Sequence, residues 1–144
     1  MDSHPALQQR LLSRNDAHAA RNRNQFEQRG LRVVNLLSAP GSGKTSVLER
    51  LAHQWPRPPI GVVVGDLATD HDATRLREAG ARAVQICTGD RCHLDAALVE
   101  RAVAQIDTNG VDLLVIENVG NLVCPTAFDL GEHRRVAVLA VTEG

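Results

Sequence analysis

The residues best suited to chemistry lie in one short stretch, residues 38–45, which read SAPGSGKT. An apolar run precedes this stretch and a helix-like segment follows it. That order of strand, glycine-rich turn and helix is typical of a phosphate-binding loop, in which backbone N–H groups and the helix N-terminus surround a polyphosphate. Lys44 is expected to reach the β- and γ-phosphates, and the Thr45 hydroxyl to bind Mg²⁺. The residues expected to contact the nucleotide are Gly41, Ser42, Gly43, Lys44, Thr45, Ser46 and, from a later loop, Gly120.

The loop departs from the strict phosphate-binding pattern at one position. Ser38 stands where that pattern has glycine six residues before the lysine. The alternative is a glycine- and serine-rich turn followed by a surface lysine. Because Gly-Lys-Thr lies at a strand-to-helix junction, the sequence favours nucleotide binding.

Carboxylates follow two of the other apolar runs. Glu117 ends one run and begins Glu-Asn-Val-Gly, so it is expected to hold Mg²⁺ directly or through water, while the Gly120 N–H senses the γ-phosphate. Glu117 could alternatively cap the sheet edge. Asp66 opens an acidic loop and is expected to orient the attacking water or a magnesium-bound water. Asp70 and Asp72 suit this role and the first turn of a helix equally well.

A second group of residues suits a softer metal. Cys92, His93 and Cys124 offer two thiolates and an imidazole, a set that fits zinc or nickel much better than magnesium. No Cys-x-x-Cys pair is present, and buried cysteines often serve only as small apolar residues, the reading we prefer for Cys87. Three ligands would leave the coordination open, to be completed by water or by a second subunit.

The apolar pattern predicts the fold that positions these loops. Apolar runs at 32–37, 60–64, 82–86, 111–116 and 136–141 alternate with helix-like segments at 44–54, 70–79 and 94–107. This predicts an α/β fold, a P-loop NTPase with a mostly parallel sheet covered by helices on both faces. Residues 1–30 are expected to form an N-terminal amphipathic helix packed on the domain, with Leu7, Leu11, Ala19, Asn22 and Phe26 on one side. Residues 31–144 would form the P-loop domain, which we expect to be incomplete at its C-terminus because no Asn-Lys-x-Asp base-reading motif occurs.

Composition narrows the possible partners. A net charge of −1 gives no electrostatic reason to expect nucleic acid or an anionic membrane as a partner. No apolar run is long enough to cross a membrane, and the polar N-terminus is unlike a signal peptide. Three cysteines in a chain without such a signal indicate the cytoplasm.

Several motifs together resemble the HypB family of hydrogenase maturation GTPases. These are the N-terminal segment from Asn15-Asp16 to Phe26, the loop at 38–45, the acidic stretch at 65–73, Cys-His-Leu-Asp-Ala at 92–96 and Glu-Asn-Val-Gly-Asn-Leu-Val-Cys-Pro at 117–125. The family also has serine at the position of Ser38. Some members carry an N-terminal tract that stores nickel. No such tract is evident here, since His4 and His18 are the only histidines among the first 30 residues.

The resemblance implies a specific function. It implies a GTPase with Lys44, Asp66 and Glu117 as catalytic residues, and with Thr45, Asp66 and Glu117 around Mg²⁺. It also implies that Cys92, His93 and Cys124 bind Ni²⁺ or Zn²⁺ at or near a homodimer interface. GTP hydrolysis would then control nickel release toward the hydrogenase large-subunit precursor, together with other nickel-maturation proteins.

Other functions use the same loop. A small-molecule kinase would need an arginine-bearing lid, and none is evident. A non-hydrolysing metal carrier would not need the intact Gly-Lys-Thr with Glu117. The sister urease-maturation GTPases share the chemistry, but the stretches at 92–95 and 121–125 favour the hydrogenase branch.

Overall fold

The computed structural model describes residues 4–39, 43–65, 71–86, 93–120 and 124–139. Within these ranges the chain alternates strands and helices along its length. The strands are β1 (Arg32–Ser38), β2 (Gly61–Val64), β3 (Arg82–Gln85), β4 (Leu113–Glu117) and β5 (Arg134–Val138). The helices are α1 (His4–Gln28), α2 (Lys44–Gln54), α3 (His71–Glu78) and α4 (Ala96–Val103), with a 3₁₀ turn at Cys124–Ala127.

The strands form one parallel sheet in the order β3-β2-β4-β1-β5. Its central strand, β4, is buried at every position, which explains its uninterrupted apolar sequence up to Glu117. Apolar clusters lie on both faces of the sheet. One contains side chains of α1 and α4, and the other contains side chains of α2 and α3. The predicted fold class, a mostly parallel sheet with helices on both faces, is therefore confirmed.

Two elements differ most from the sequence prediction. The helix predicted at 94–107 spans Ala96–Val103, because the Asp95 carboxylate accepts a hydrogen bond from the Leu98 N–H at 2.8 Å and caps the helix at its start. The strand predicted at 136–141 spans Arg134–Val138, paired with β1 from Val34 onward. None of the helices in the described ranges has the length and apolar character needed to cross a bilayer.

Helix α1 buries only its second half. Asn15, Ala19, Asn22 and Phe26 face the domain at helical spacing, as residues i, i+4, i+7 and i+11 of one stripe should. Leu7 and Leu11, predicted on the same side, are 46% and 52% exposed. The sequence pattern was correct about the stripe but wrong about where its burial begins.

The end of α1 comes into close backbone contact with Gly131. This glycine has a φ of +93°, and a Cβ added to it would lie 2.7 Å from Asn22 Cβ and 2.8 Å from the Ala19 carbonyl oxygen. Only glycine tolerates both the left-handed backbone and this proximity. Residue 131 therefore fixes how closely the loop before β5 approaches α1.

We expect Gly131→Ala to destabilise the fold more than Gly110→Ala. Gly110 also has a positive φ, of +79°, but a Cβ there would meet nothing within 4 Å. The control should lose about 1–2 kcal/mol of unfolding free energy from backbone strain, and Gly131→Ala about 1–3 kcal/mol more from overpacking. Urea unfolding of both variants measures the difference. Equal losses would contradict close packing of the loop against α1.

Candidate nucleotide and metal sites

The phosphate-loop prediction falls partly on described residues. Gly43 is in a left-handed conformation, with φ 83° and ψ 21°, at the N-cap of α2, so the helix begins at Lys44 and directs its first N–H groups toward the loop. Lys44 and Thr45 are buried, whereas Ser46 is exposed. Gly41 and Ser42 lie outside the described residues. The described end of the junction is thus a left-handed glycine that opens a helix, as expected for the last part of a phosphate-binding loop.

Glu117 lies against this helix start. It is fully buried at the end of β4, where the parallel register pairs it with Leu36 of β1. The Thr45 hydroxyl donates to Glu117 Oε1 at 3.4 Å, and Lys44 Nζ lies 3.9 Å from the same oxygen. The structure thus brings together three of the predicted site residues: a carboxylate and a hydroxyl that suit Mg²⁺ as hard oxygen ligands, and an ammonium that suits phosphate.

The neighbouring loops begin beside Glu117. The Gly65 N–H donates to the Glu117 carbonyl at 2.8 Å, so the segment that carries Asp66 starts at this point, although Asp66 itself lies outside the described residues. On the other side, the Asn118 N–H donates to the Leu36 carbonyl at 3.1 Å, and the half-buried Gly120 follows two residues later. The loops after β1, β2 and β4 therefore begin at the middle of the sheet's carboxyl edge.

A buried amide network next to Glu117 was missed by the sequence analysis. Asn118 Nδ2 donates to Asn35 Oδ1 at 3.0 Å, and Asn35 Nδ2 donates to Glu132 Oε2 at 2.7 Å. Glu132 Oε1 accepts from the Leu130 N–H at 3.1 Å. The network links β4 and β1 to the loop before β5. The sequence did contain a signal for this network: Asn35 is a polar residue inside an otherwise apolar run, and Asn118 directly follows another.

The predicted soft-metal ligands are described only in part. His93 stacks on Phe128 with ring centroids 4.0 Å apart and the planes 7° from parallel. Cys124 begins the 3₁₀ turn, but its side chain and the whole of Cys92 lie outside what the structure describes. Within the described part of the chain, no three His, Cys, Asp or Glu side chains are grouped to hold a metal. The ligand set of Cys92, His93 and Cys124 remains a prediction, and Phe128 is a neighbour that the sequence did not indicate.

An ion pair holds the segment that follows the 3₁₀ turn. Arg23 Nη2 of α1 donates to Asp129 Oδ1 at 2.7 Å, and the Gly131 N–H donates to the same oxygen at 2.9 Å. Partial burial of Asp129 favours the neutral acid, but hydrogen bonds with Glu132, Arg23 and the Gly131 amide outweigh it and lower the Asp129 pKa to about 2. The same pair raises the pKa of Arg23, with the hydrogen bond to Asp129 as the main cause.

Comparisons with known proteins point to one family. The family model for the CobW/HypB/UreG nucleotide-binding domain matches residues 32–140. The hydrogenase maturation factor HypB of Azotobacter vinelandii is 55% identical over 139 residues, which cover 96% of this chain and 46% of that protein. The HypB of Escherichia coli (strain K12) is 48% identical over 135 residues, covering 93% of this chain and 47% of that protein.

Solved structures give the same result. The crystal structure of HypB from Helicobacter pylori in complex with nickel aligns with a TM-score of 0.85 at 45% identity, covering 91% of this chain and 62% of that one. HypB from Archaeoglobus fulgidus aligns with a TM-score of 0.82 at 42% identity, covering 92% and 65%. The resemblance predicted from the motifs is thereby confirmed. The chain spans about half the length of the curated HypB proteins from Azotobacter vinelandii and Escherichia coli.

The lowered pKa of Asp129 predicts how stability responds to acid. A carboxyl whose pKa falls from 3.8 to about 2 on folding adds stability that is complete above the unfolded value and is lost as the pH drops toward the folded one. We expect Asp129→Asn to lower the melting temperature at neutral pH and to flatten its decline between about pH 4 and pH 2. Asp16→Asn, at an exposed position of α1, is the control and should leave the pH profile unchanged. A profile unaltered by Asp129→Asn would rule out a stabilising ion pair at this position.

Proposed function

The chain belongs to the CobW/HypB/UreG family of nucleotide-binding domains, and we propose that it is a GTP-hydrolysing metallochaperone that delivers nickel during maturation of [NiFe]-hydrogenase. In this proposal it works in the cytoplasm, as a homodimer on nucleotide or metal binding. The hydrogenase large-subunit precursor would receive the nickel, and other nickel-maturation proteins would be further partners. The observation that carries the nucleotide part of the proposal is the convergence of Lys44, Thr45 and Glu117 at the start of α2.

The proposed roles at the nucleotide follow from this arrangement. The N–H groups of residues 41–46 bind the α- and β-phosphates, aided by the positive end of α2. Lys44 reaches the β- and γ-phosphates, and its buried position keeps the ammonium from being screened by water. Asp66 orients the attacking water, and the Gly120 N–H contacts the γ-phosphate.

Thr45 and Glu117 are the residues that would hold Mg²⁺. Their oxygens lie close enough to share one ion, and the burial of Glu117 keeps its carboxylate fixed at the end of β4. When bound, Mg²⁺ neutralises charge on the β- and γ-phosphate oxygens. Glu117 thereby supplies its negative charge at a place that does not reorganise during the reaction.

The proposed nickel ligands are Cys92, His93 and Cys124, and Zn²⁺ suits the same donors. One of the structures that align well with this chain is that of Helicobacter pylori HypB in complex with nickel, which supports nickel as the cargo. His93 and the 3₁₀ turn that starts at Cys124 lie near each other, as the stacking of His93 on Phe128 indicates. Nucleotide can control nickel only by binding the metal-holding and metal-releasing states with different affinity.

The nucleotide part is tested with Glu117→Gln. Removing the buried charge while keeping the side-chain shape should lower magnesium-dependent GTP hydrolysis at least about 100-fold. It should also weaken the magnesium dependence of GTP affinity. Glu78→Gln, the same change at an exposed site on α3, should leave both unchanged. Hydrolysis unaffected by Glu117→Gln would contradict the assigned role, and a parent chain without any hydrolysis would favour a non-hydrolysing carrier.

The nickel part is tested by anaerobic titration, with the thiolate-to-nickel charge-transfer absorption as the signal. Cys92→Ala and Cys124→Ala should each abolish the band, whereas Cys87→Ala should keep it. Magnesium–GTP should change the nickel affinity if nucleotide controls release. A band that survives both substitutions would place nickel elsewhere, and no band in the parent would refute nickel binding by this chain.

A further inference from the structure

Two buried asparagines of α1 each connect the same pair of chain segments. Asn15 Oδ1 accepts from the Ala96 N–H at 2.8 Å, and Asn15 Nδ2 donates to the Asp129 carbonyl at 2.7 Å. Two helical turns later, Asn22 Nδ2 donates to the Ala96 carbonyl at 2.9 Å and to the Leu130 carbonyl at 3.2 Å. Each side chain therefore bridges the first residue of α4 to the segment that follows the 3₁₀ turn.

These two segments are the ones that carry the proposed nickel ligands. Ala96 follows Cys92-His93 within one helical turn of sequence, and Asp129 and Leu130 follow Cys124 by five and six residues. One segment leads into α4, which lies on a face of the sheet, and the other leads into the edge strand β5. The asparagines supply a direct connection between them.

The connection is specific in its chemistry. Asparagine is a poor residue for a helix interior and costs free energy when it is buried without partners. Both residues are buried, and both direct their amides at main-chain groups of the two segments rather than at side chains. Main-chain partners fix the path of the chain itself, so the bridges set the distance between the two segments.

An aromatic contact spans the same gap independently. The His93 ring stacks on Phe128, which lies between Cys124 and Asp129 in the sequence. The stack restrains the imidazole plane, while the asparagines restrain the backbone on either side. Three separate contacts thus hold one proposed ligand segment against the other.

We propose that α1 is a positioning element for the nickel site and that Asn15 and Asn22 are its positioning residues. The proposal rests on the proposed nickel function. In it, the helix presets the separation between the loop bearing Cys92 and His93 and the turn that begins at Cys124, so less ordering is needed when nickel binds. Groups that orient metal ligands without touching the metal commonly change affinity by about 10–100-fold.

The test compares Asn15→Ala with Asn22→Ala, alone and combined, against Asn24→Ala. Asn24 lies on the exposed side of the same helix, so this control has the same gain in helix propensity without a lost bridge. Nickel affinity and the charge-transfer spectrum are measured anaerobically, and GTP affinity is measured in parallel. All titrations are run at a temperature where every variant is folded by circular dichroism.

We expect the double variant to bind nickel at least about 10-fold more weakly, with an altered charge-transfer band, while GTP affinity stays within about twofold of the parent. A purely structural role would weaken both ligands together. If the double variant does not fold, Asn15→Asp replaces it. That variant keeps the acceptor for Ala96 and loses the donor to Asp129, and it should show the same split between nickel and GTP.

Amide hydrogen exchange of the metal-free protein gives a readout that does not involve nickel. Exchange at the Ala96 amide should accelerate in Asn15→Ala and remain as in the parent in Asn24→Ala. Unchanged nickel affinity, spectrum and exchange in the asparagine variants, with Cys92→Ala and Cys124→Ala still abolishing the band, would overturn the positioning role alone. A parent chain that binds no nickel would overturn the proposed nickel function and the positioning role with it.

Discussion

The candidate nucleotide site depends on the parallel pairing of β4 with the strands on either side of it. Glu117 is in register with Leu36 of β1 and with Val64 of β2, so a carboxylate lies level with the last residue of β2 and two residues before the end of β1. Strands in a sheet are about 4.8 Å from each neighbour, so the carboxyl ends of β1, β4 and β2 lie side by side. A slip of one residue would turn Glu117 to the opposite face.

Buried polar groups then connect the end of β4 to the rest of the domain. The Asn118 amide donates to Asn35, and the Asn35 amide donates to Glu132. Glu132 accepts a hydrogen bond from the Leu130 N–H, and the Leu130 carbonyl accepts one from Asn22 of α1. These hydrogen bonds lie in a low-dielectric interior, where each is electrostatically stronger than in water. The residue after the strand that ends at Glu117 is therefore linked by hydrogen bonds to Leu130 and to α1.

The sequence was sufficient for the features that are encoded locally. Gly43 with Lys44 marks the strand-to-helix turn, and the proximity of Thr45 to Glu117 follows because parallel strands end at one edge of the sheet. The long-range polar contacts were not predictable. An asparagine inside an apolar run has no local sign of its partner, and nothing near Phe128 indicates a ring stacked on it from residue 93. The extent of burial in α1 was also misjudged. Periodicity shows which side of a helix is apolar, but it does not show how much of that side is covered by another element.

The bridges made by α1 also bear on how the chain assembles. Asn15 lies 81 residues from one of its partners and 114 from the other. At a synthesis rate of about 5–20 residues per second, the helix leaves the ribosome on the order of ten seconds before its last partner exists. Closing such large loops is entropically costly until the sheet has brought the ends together. Helix α1, though made before these partners, should be among the last parts to reach its native contacts, and His93 can stack on Phe128 only after residue 128 has been synthesised.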